Sequence, residues 1–527
     1  MYNTLSIYGS HDSSVTFIDN EGGYCVLEYE RFVKKRYAAF SNNFKAEEDP
    51  RVGCGTTEKQ RRQFLSYIKK KLDREINTIL YNELSKEDMD LISQYFPNAV
   101  YKKMEHHRSH AYCAYYQSGF NKAIIVSIDG GGMDYDGVAT TKVYLAEGDN
   151  IKTIYRSTKN LGNSYGAIGY LISDIRHGLD SKVFCLSYAG KTMGICAYGN
   201  HKEEWLPTMR KFYETGGHGF SLLEECIGTT PSLNCIGGQK AYDLAATSQY
   251  VFEEECMRII LPFVKKYNCN VVMTGGCALN VLYNQRIHKI IKKLGSKLYV
   301  PPNPNDCGLS LGQMLIEYPR QINEVVYNGF EVLDKEDLPM HIENRKATKI
   351  NAKGIAELLK KGKIVGLVYG NSEVGPRALG NRSIICDPSF LDMKEILNKK
   401  VKFREWYRPF APACLLEDAN KYFVNPRESN YMSYAPAVKK EYRAKLPSIV
   451  HQDGTARLQT VTKDQHYVFW SILEEMKNQS AIPVILNTSF NIKGLPILTT
   501  IEDALFVLDN TEMDYVVIED YLFEEKR

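Results

Sequence analysis

The sequence predicts an α/β protein of two domains, and three observations carry that expectation. Its 527 residues exceed what one hydrophobic core serves. Short apolar runs of strand length repeatedly end in Gly-rich polar loops, and helical patterns follow them. Between Tyr318 and Ala347 this regularity lapses into charged, Pro-containing sequence and then restarts. The predicted division is residues 1–325, a linker over 326–347, and a second domain over 348–527. A hydrophobic content of 44% and a charged content of 24% are ordinary for a globular chain. The net charge of +3 is too small to argue for nucleic acid or an anionic membrane.

The first domain opens with a strand, Leu5 to Tyr8, running into Gly9-Ser10-His11-Asp12-Ser13-Ser14. Val15 to Ile18 and Tyr24 to Leu27 flank the turn Asn20-Glu21-Gly22-Gly23, a hairpin signal. Strand, polar loop, strand and hairpin is the opening of the actin-like ATPase and sugar-kinase fold. That fold is duplicated, and the same grammar recurs at Ala123 to Ile128 followed by the loop Asp129-Gly130-Gly131-Gly132. Between the two lies Glu105-His106-His107-Arg108-Ser109-His110. On a helix, His106 and His110 share one face and can bind one metal ion. Such a pair is more often polar surface, but Asp129 and Asp306 stand at loop starts and could complete a site. A His/carboxylate set without thiolate favours a catalytic Fe(II)-, Mn- or Zn-type centre over a structural zinc.

Gly162, Gly166, Gly169 and the segment Ala189 to Gly199 read either as small-residue helix packing or as a substrate or nucleotide wall. An amphipathic helix from Asp243 to about Tyr267 leads to the strand Asn270 to Thr274 and then Gly275-Gly276. A strand ending in Gly-Gly before a helix start presents backbone N–H groups to a ligand, so both glycines are candidate nucleotide contacts.

The second domain starts with a helix-like pattern from Gly354 to Leu359 and a strand from Ile364 to Val368. The loop that follows is punctuated by Gly370, Gly375 and Gly380 and carries Arg377 and Arg382. Glycines let a backbone approach a bulky anion, and the arginine fork matches phosphate oxygens. Lys399, Lys400, Lys402, Arg404 and Arg408 follow, then Asp453-Gly454-Thr455-Ala456-Arg457, then Asn487-Thr488-Ser489 after the strand Ile482 to Leu486.

Taken in order, these segments resemble the NodU/CmcH family of carbamoyltransferases from end to end. The matching pieces of the first domain are Gly9-Ser10-His11-Asp12, His106-His107-Arg108-Ser109-His110, Gly190-Lys191-Thr192-Met193-Gly194, Thr274-Gly275-Gly276-Cys277-Ala278-Leu279-Asn280 and Asn305-Asp306-Cys307-Gly308. In the second domain they are the run Gly375 to Ser383, Arg408-Pro409-Phe410-Ala411-Pro412, Asp453 to Arg457 and Leu486 to Asn491. Two places depart from the family pattern: Gly370-Asn371 stands where Gly-Arg is usual, and Gly494-Leu495-Pro496-Ile497 where Gly-Glu-Pro-Ile is frequent.

The resemblance implies an actin-like first domain, similar to the threonylcarbamoyl-transferase of tRNA modification, and a YrdC-like second domain that makes a carbamoyl adenylate. It further implies ATP with Mg2+ and carbamoyl phosphate as substrates, and a small-molecule natural product as acceptor. O-carbamoylation is favoured over N-carbamoylation. Arg377, Lys402, Arg408 and Arg457 are then expected on the phosphates, with Asn487 and Ser489 bonded to the intermediate. In the first domain Gly275 and Gly276 hold the nucleotide part, and His106, His110, Asp129 and Asp306 hold a divalent metal, Fe2+ by preference. His11, oriented by Asp12, is the expected general base, because an imidazole suits that task near neutral pH. The competing readings are an actin-like-fold ATP-dependent small-molecule kinase and a catalytically inactive nucleotide-binding protein. The kinase leaves the ordered basic loops of the second domain without work, and the presence of His11, the His106/His110 pair and the arginines speaks against the inactive protein.

Thirteen cysteines without a C-x-x-C pair suit a reducing compartment. No apolar run approaches the ~20 residues that cross a bilayer, and the first residues lack a secretory pattern. The expectation is a cytoplasmic protein without nucleic-acid or membrane partners; the oligomeric state is open, a homodimer included.

Overall fold

The computed structural model describes residues 3–45, 54–176, 186–228, 235–323 and 325–525. The chain folds as two compact units, Met1–Val325 and Val326–Arg527.

The first unit is built on two five-stranded sheets. One contains β1 (Thr4–Tyr8), β2 (Ser14–Ile18), β3 (Tyr24–Glu28), β4 (Thr78–Asn82) and β5 (Val100–Lys103) in the order β3-β2-β1-β4-β5. The other contains β6 (Lys122–Asp134), β7 (Gly137–Glu147), β8 (Asn150–Ser157), β9 (Asn270–Thr274) and β10 (Leu298–Tyr299) in the order β10-β9-β6-β7-β8. In each, the first three strands pair antiparallel and the last two add in parallel on the other side of the first. The two sheets therefore repeat one topology, the duplication expected from the two strand-and-loop openings. One expectation fails. Asp129 to Gly132 is not a loop: β6 continues through it to Asp134, with a register shift against β7 between Ile128 and Gly132. Three consecutive glycines let the strand bulge without losing its partner.

Two helices of the first unit approach unusually closely. A Cβ on Gly312, in the helix Leu309–Glu317, would sit 1.9 Å from the Ser109 carbonyl of the helix His106–Tyr116. Only glycine permits this crossing. Ser310, on the same helix, reaches the other way to the hydroxyls of Ser14 and Thr16 on β2, at 2.7 Å each. The histidine-bearing helix is thereby held at a defined distance from the first sheet.

The second unit has an eight-stranded mixed sheet, made of β11 (Thr348–Lys349), β12 (Val365–Val368), β13 (Arg382–Cys386), β14 (Ala411–Leu415), β15 (Gln459–Val461), β16 (Val484–Ser489), β17 (Tyr515–Ile518) and β18 (Tyr521–Glu524). Their order is β11-β18-β17-β12-β13-β16-β14-β15. Alternate residues enter opposite cores, as the pleat requires. Ile384, Leu486 and Val516 pack on one face with the helix Ile501–Asn510; Ile385, Ile485 and Val517 pack on the other with Ala352–Lys360 and Tyr467–Asn478.

Residues 326–347, expected to be a linker, are part of this unit. Val326, Phe330 and Val332 are buried, and Val326 and Phe330 carbonyls accept from Val374 and Ser372 at 2.6 and 2.7 Å. The helix Leu338–Arg345 is tied down by a forked pair, Arg345 Nη1 and Nη2 to Asp509 Oδ1 and Oδ2 at 2.8 and 2.5 Å. Spaced apolar anchors in a charged segment hide its burial from a reading by composition.

The loop between β12 and β13 is ordered by one buried carboxylate. Glu373 Oε1 accepts from the backbone N–H groups of Leu379, Asn381 and Arg382 at 2.7, 2.8 and 3.2 Å. Glu373→Ala leaves those donors without their acceptor and is expected to cost the second unit about 3 kcal/mol, read as a shift of its urea unfolding midpoint. A midpoint unchanged from wild type would remove Glu373 from this role.

Candidate functional site

In the first unit, His106 opens the helix His106–Tyr116 and His110 lies one turn on, so both face the same side. Asp129 comes from β6 and Asp306 from the turn before Leu309–Glu317. All four are buried, and one ligand atom from each lies within 4.8 Å of the others. His110 Nε2 stands 2.9 Å from Asp129 Oδ2 and 3.3 Å from Asp306 Oδ1; His106 Nε2 stands 3.9 and 3.8 Å from the same atoms. Neither ring nitrogen of His106 has a hydrogen-bond partner although the residue is 2% exposed. Orphaned buried imidazole nitrogens facing two carboxylates fit a divalent cation, whose charge the carboxylates balance. The donor set is the His/carboxylate one favoured by Fe2+, Mn2+ or Zn2+.

Outer contacts aim these ligands. Tyr8 donates to Asp306 Oδ2 at 2.5 Å, and its ring meets His106 edge-on at 6.0 Å. Asp129 accepts from the Gly130 N–H at 2.5 Å and the Gly276 N–H at 3.1 Å. A Cβ on Gly132 would stand 2.1 Å from the His106 ring. Such contacts fix the orientation of metal ligands. Burial works against charge on all of these groups, yet mutual attraction prevails: it holds Asp129 well below its ordinary value and Asp306 below it, and pushes His110 up to about 9.

His11 lies in the β1–β2 loop at the rim of this cluster, its side chain 32% exposed. Its Nδ1 is 3.1 Å from Asp12 Oδ2 and its Nε2 3.6 Å from Asp306 Oδ2. Burial disfavours its protonated form, but Asp306, Asp12 and Asp129 outweigh this and push it up to about 10. Compensation of Asp306 and Asp129 by a cation is therefore a condition for His11 to act as a base.

Gly275 and Gly276 do not offer free amides. The Gly275 N–H donates to the Pro304 carbonyl at 2.8 Å, and that of Gly276 holds Asp129. Gly275 has φ +82, and a Cβ there would strike the Ile128 carbonyl at 2.2 Å. Both glycines serve the close approach of backbone to the cation site.

In the second unit, Arg377, Arg404, Arg408 and Arg457 act on one another. Burial first, and then the like charges of Arg377, Arg404 and Arg408, hold Arg457 well below the usual guanidinium value. Burial and Arg408 do the same to Arg404, against the pull of Glu405. Arg404 is braced by Asn398 Oδ1 at 2.7 Å and lies 4.3 Å over the Phe410 ring. Nothing in a basic run distinguishes its inward member, so the sequence carries no separate signal for Arg404. Glu405 Oε2 meets Arg408 Nη1 at 3.4 Å. Like charges held together in this way favour a polyanionic ligand.

Four candidate residues of this unit have partners within the protein. Arg382 is not presented to a ligand: it is fully buried, and its guanidinium holds the Tyr369, Gly370 and Asn381 carbonyls at 2.8 to 2.9 Å. Lys402 Nζ is taken up by the end of β16, donating to the Ser489 carbonyl at 2.6 Å, the Asn491 carbonyl at 2.7 Å and Asn491 Oδ1. Ser489 Oγ donates to Asn491 Oδ1 at 2.8 Å. Asn487 donates to the Ala378 carbonyl at 3.1 Å and Gln459 Oε1 at 2.7 Å, which leaves its buried Oδ1 as an acceptor without a partner. At the two departures, Asn371 and Leu495 contribute backbone carbonyls, to Asn381 Nδ2 and Asn491 Nδ2, at 2.6 Å each.

Together these features describe a protein of two opposite sites, one that suits a cation and one that suits an anion. Residues 56–315 match the family model for the carbamoyltransferase N-terminus, and residues 356–525 match that for the carbamoyltransferase C-terminus. The chain belongs to the carbamoyltransferase family. The nodulation protein NolO of Bradyrhizobium diazoefficiens is 30% identical over 80% of this chain and 79% of its own. The nodulation protein NolNO of Sinorhizobium fredii is 30% identical over 80% of this chain, which spans 64% of that protein's length. An uncharacterized protein of Methanocaldococcus jannaschii is 31% identical over 82% of this chain and 85% of its own. Among solved structures, full-length HypF in a phosphate- and nucleotide-bound form aligns with a TM-score of 0.36 and 14% identity, over 60% of this chain and 55% of HypF. That likeness is too slight to place any residue. No helix among the described residues is long and apolar enough to cross a membrane.

The anion site has a pH-sensitive support. His466 Nδ1 accepts from the Phe469 N–H at 3.1 Å, and its Nε2 faces Asn381 Oδ1 at 2.9 Å, a pairing that requires the neutral ring. A Cβ on Gly380 would stand 2.3 Å from Nε2. Burial lowers His466 to about 4 against the weaker upward pull of Glu373. The unfolded chain takes up this proton near pH 6.5 and the folded chain does not, so stability falls as pH drops from 6.5 to 4, by about 3 kcal/mol. His466→Gln is expected to flatten that part of the stability profile; an equally steep loss in the variant would assign it elsewhere.

Proposed function

We propose that the chain is a carbamoyltransferase that activates its one-carbon group as an adenylate in the second unit and delivers it to a small-molecule hydroxyl in the first. On this reading the first unit is an actin-like transfer domain and the second a YrdC-like adenylate-forming domain. The supporting observation is the gathering of Arg377, Arg404 and Arg408 around the buried Arg457, a concentration of like charge that a polyanion would offset.

Nitrogen donation makes a carbamoyl carbon a poor electrophile, so the group must first be activated. Carbamoyl phosphate is hydrolysed in the second unit to carbamate and phosphate. A carbamate oxygen attacks the α-phosphorus of ATP, which enters with Mg2+; the bond from Pα to the bridging oxygen breaks, and pyrophosphate leaves. Negative charge on the phosphoryl oxygens is met by the four arginines, an electrostatic role. Lys402 acts at one remove, fixing Ser489 and Asn491. The free Oδ1 of Asn487 is an acceptor of the kind a carbamoyl NH2 group needs.

In the first unit the acceptor oxygen attacks the carbamoyl carbon, the bond to the AMP phosphate breaks, and His11 takes the acceptor's proton while Asp12 orients its ring. A divalent cation held by His106, His110, Asp129 and Asp306, Fe2+ by preference, would supply Lewis-acid polarisation when bound. A hydroxyl of a natural product is the acceptor this reading favours.

Arg457→Ala is expected to slow pyrophosphate release from ATP and carbamoyl phosphate by about a hundredfold or more; release at the wild-type rate would end the adenylation role. His11→Ala should preserve pyrophosphate release and abolish carbamoyl transfer, followed as a mass gain of one carbamoyl group on acceptors in a metabolite extract. Loss of both activities would contradict the separation of the two steps, and ADP in place of AMP and pyrophosphate would make the chain a kinase.

A further inference from the structure

The helix His106–Tyr116 begins on its first candidate ligand, and its N-cap residue, Glu105, makes no side-chain capping bond. First-turn N–H groups without acceptors leave a helix start prone to fraying. Here the acceptor comes from another element. Asp134, at the end of β6, accepts from the His107 backbone N–H through Oδ1 at 2.9 Å and from His107 Nδ1 through Oδ2 at 3.0 Å. Both side chains are fully buried. Lys142 Nζ lies 3.0 Å from Asp134 Oδ2 and 2.8 Å from Asp136 Oδ1, which compensates the buried carboxylate. Further back on the same strand stand Gly132, against the His106 ring, and Asp129, across the register shift. One strand thus supplies a ligand, the surface under another ligand's ring, and the cap of the helix that carries it.

We propose that Asp134 is a positioning residue for the cation site, capping the histidine helix from β6 and holding His106 in place through its first turn. This rests on the reading that His106, His110, Asp129 and Asp306 hold a divalent cation. Asp134 itself is not a ligand, and its effect passes through His106, the residue nearest the frayable end. His110, one turn further in, depends on it less.

Titration of the full chain with Co2+ alone tests this, followed by the visible absorption of the bound ion. Asp134→Ala is expected to weaken Co2+ binding about 10- to 100-fold, the range for loss of an outer-sphere partner, and to change the spectrum as His106→Ala does. Asp134→Asn, of equal size and still able to accept from the His107 N–H, should fall between the two. The double variant His106→Ala, Asp134→Ala should bind no more weakly than His106→Ala, because Asp134 acts through that ring. Wild-type affinity and spectrum in both Asp134 variants, or losses that simply add in the double variant, would overturn the proposal. Failure of the wild type to bind Co2+ would instead remove the cation reading, and this inference with it.

Discussion

Buried charge without compensation is the constraint around which both units are arranged. In the first, Asp129 and Asp306 lie in an interior where an ionised carboxylate is unfavourable unless paired. Their partners are imidazoles on one helix face, backbone N–H groups of Gly130 and Gly276, and the Tyr8 hydroxyl. In the second, guanidiniums crowd one another with Glu405 as a near carboxylate. In the first, protons on His110 and His11 offset the carboxylates where a cation would; in the second, the gathered like charge favours an anion.

The scaffolding follows from that requirement. Groups of defined charge must be held within a few ångströms while each element keeps its own hydrogen bonds, so backbones approach where side chains cannot fit. Gly312 lets the histidine helix touch its neighbour, Gly132 lets β6 lie under a ring, and Gly275 lets the end of β9 meet Ile128. In the second unit Glu373 and Arg382 perform the comparable task from inside the loop. The loop that carries Arg377 is shaped by another guanidinium, that of Arg382, turned inward.

Much of this was legible in the sequence wherever pattern and chemistry coincide. Apolar runs before Gly/Ser loops located β1, β6, β9 and β12, and the spacing of His106 and His110 put both on one helix face. Other features left no mark, because they depend on which atom reaches which partner. Arg382 and Arg377 look alike in the chain, yet one is a structural brace. Lys402 sits among solvated lysines and is nevertheless buried against Ser489 and Asn491. Residues 326–347 read as linker because their charges outnumber the few apolar anchors that bind them to the second unit. Asp134 follows a glycine run that suggested a loop, and its role depends on a register shift no local pattern encodes.

The opposite signs of the two sites also bear on why the chain carries two units. On the proposed reading the second unit gathers ATP and carbamoyl phosphate, and stabilising charge on a phosphoryl group calls for fixed cations that need not reorganise. On the same reading the first unit takes up a divalent cation at its carboxylates, and His11 must lose a proton that those same carboxylates help retain. Placed in one cavity, Arg457 and its neighbours would pair with Asp129 and Asp306, and both functions would be lost to a salt bridge. Separate cores keep the carboxylates of one cluster from pairing with the guanidiniums of the other. On the proposed reading the poor electrophilicity of the carbamoyl group sets the order of events, activation at the cationic site before presentation to a hydroxyl at the other.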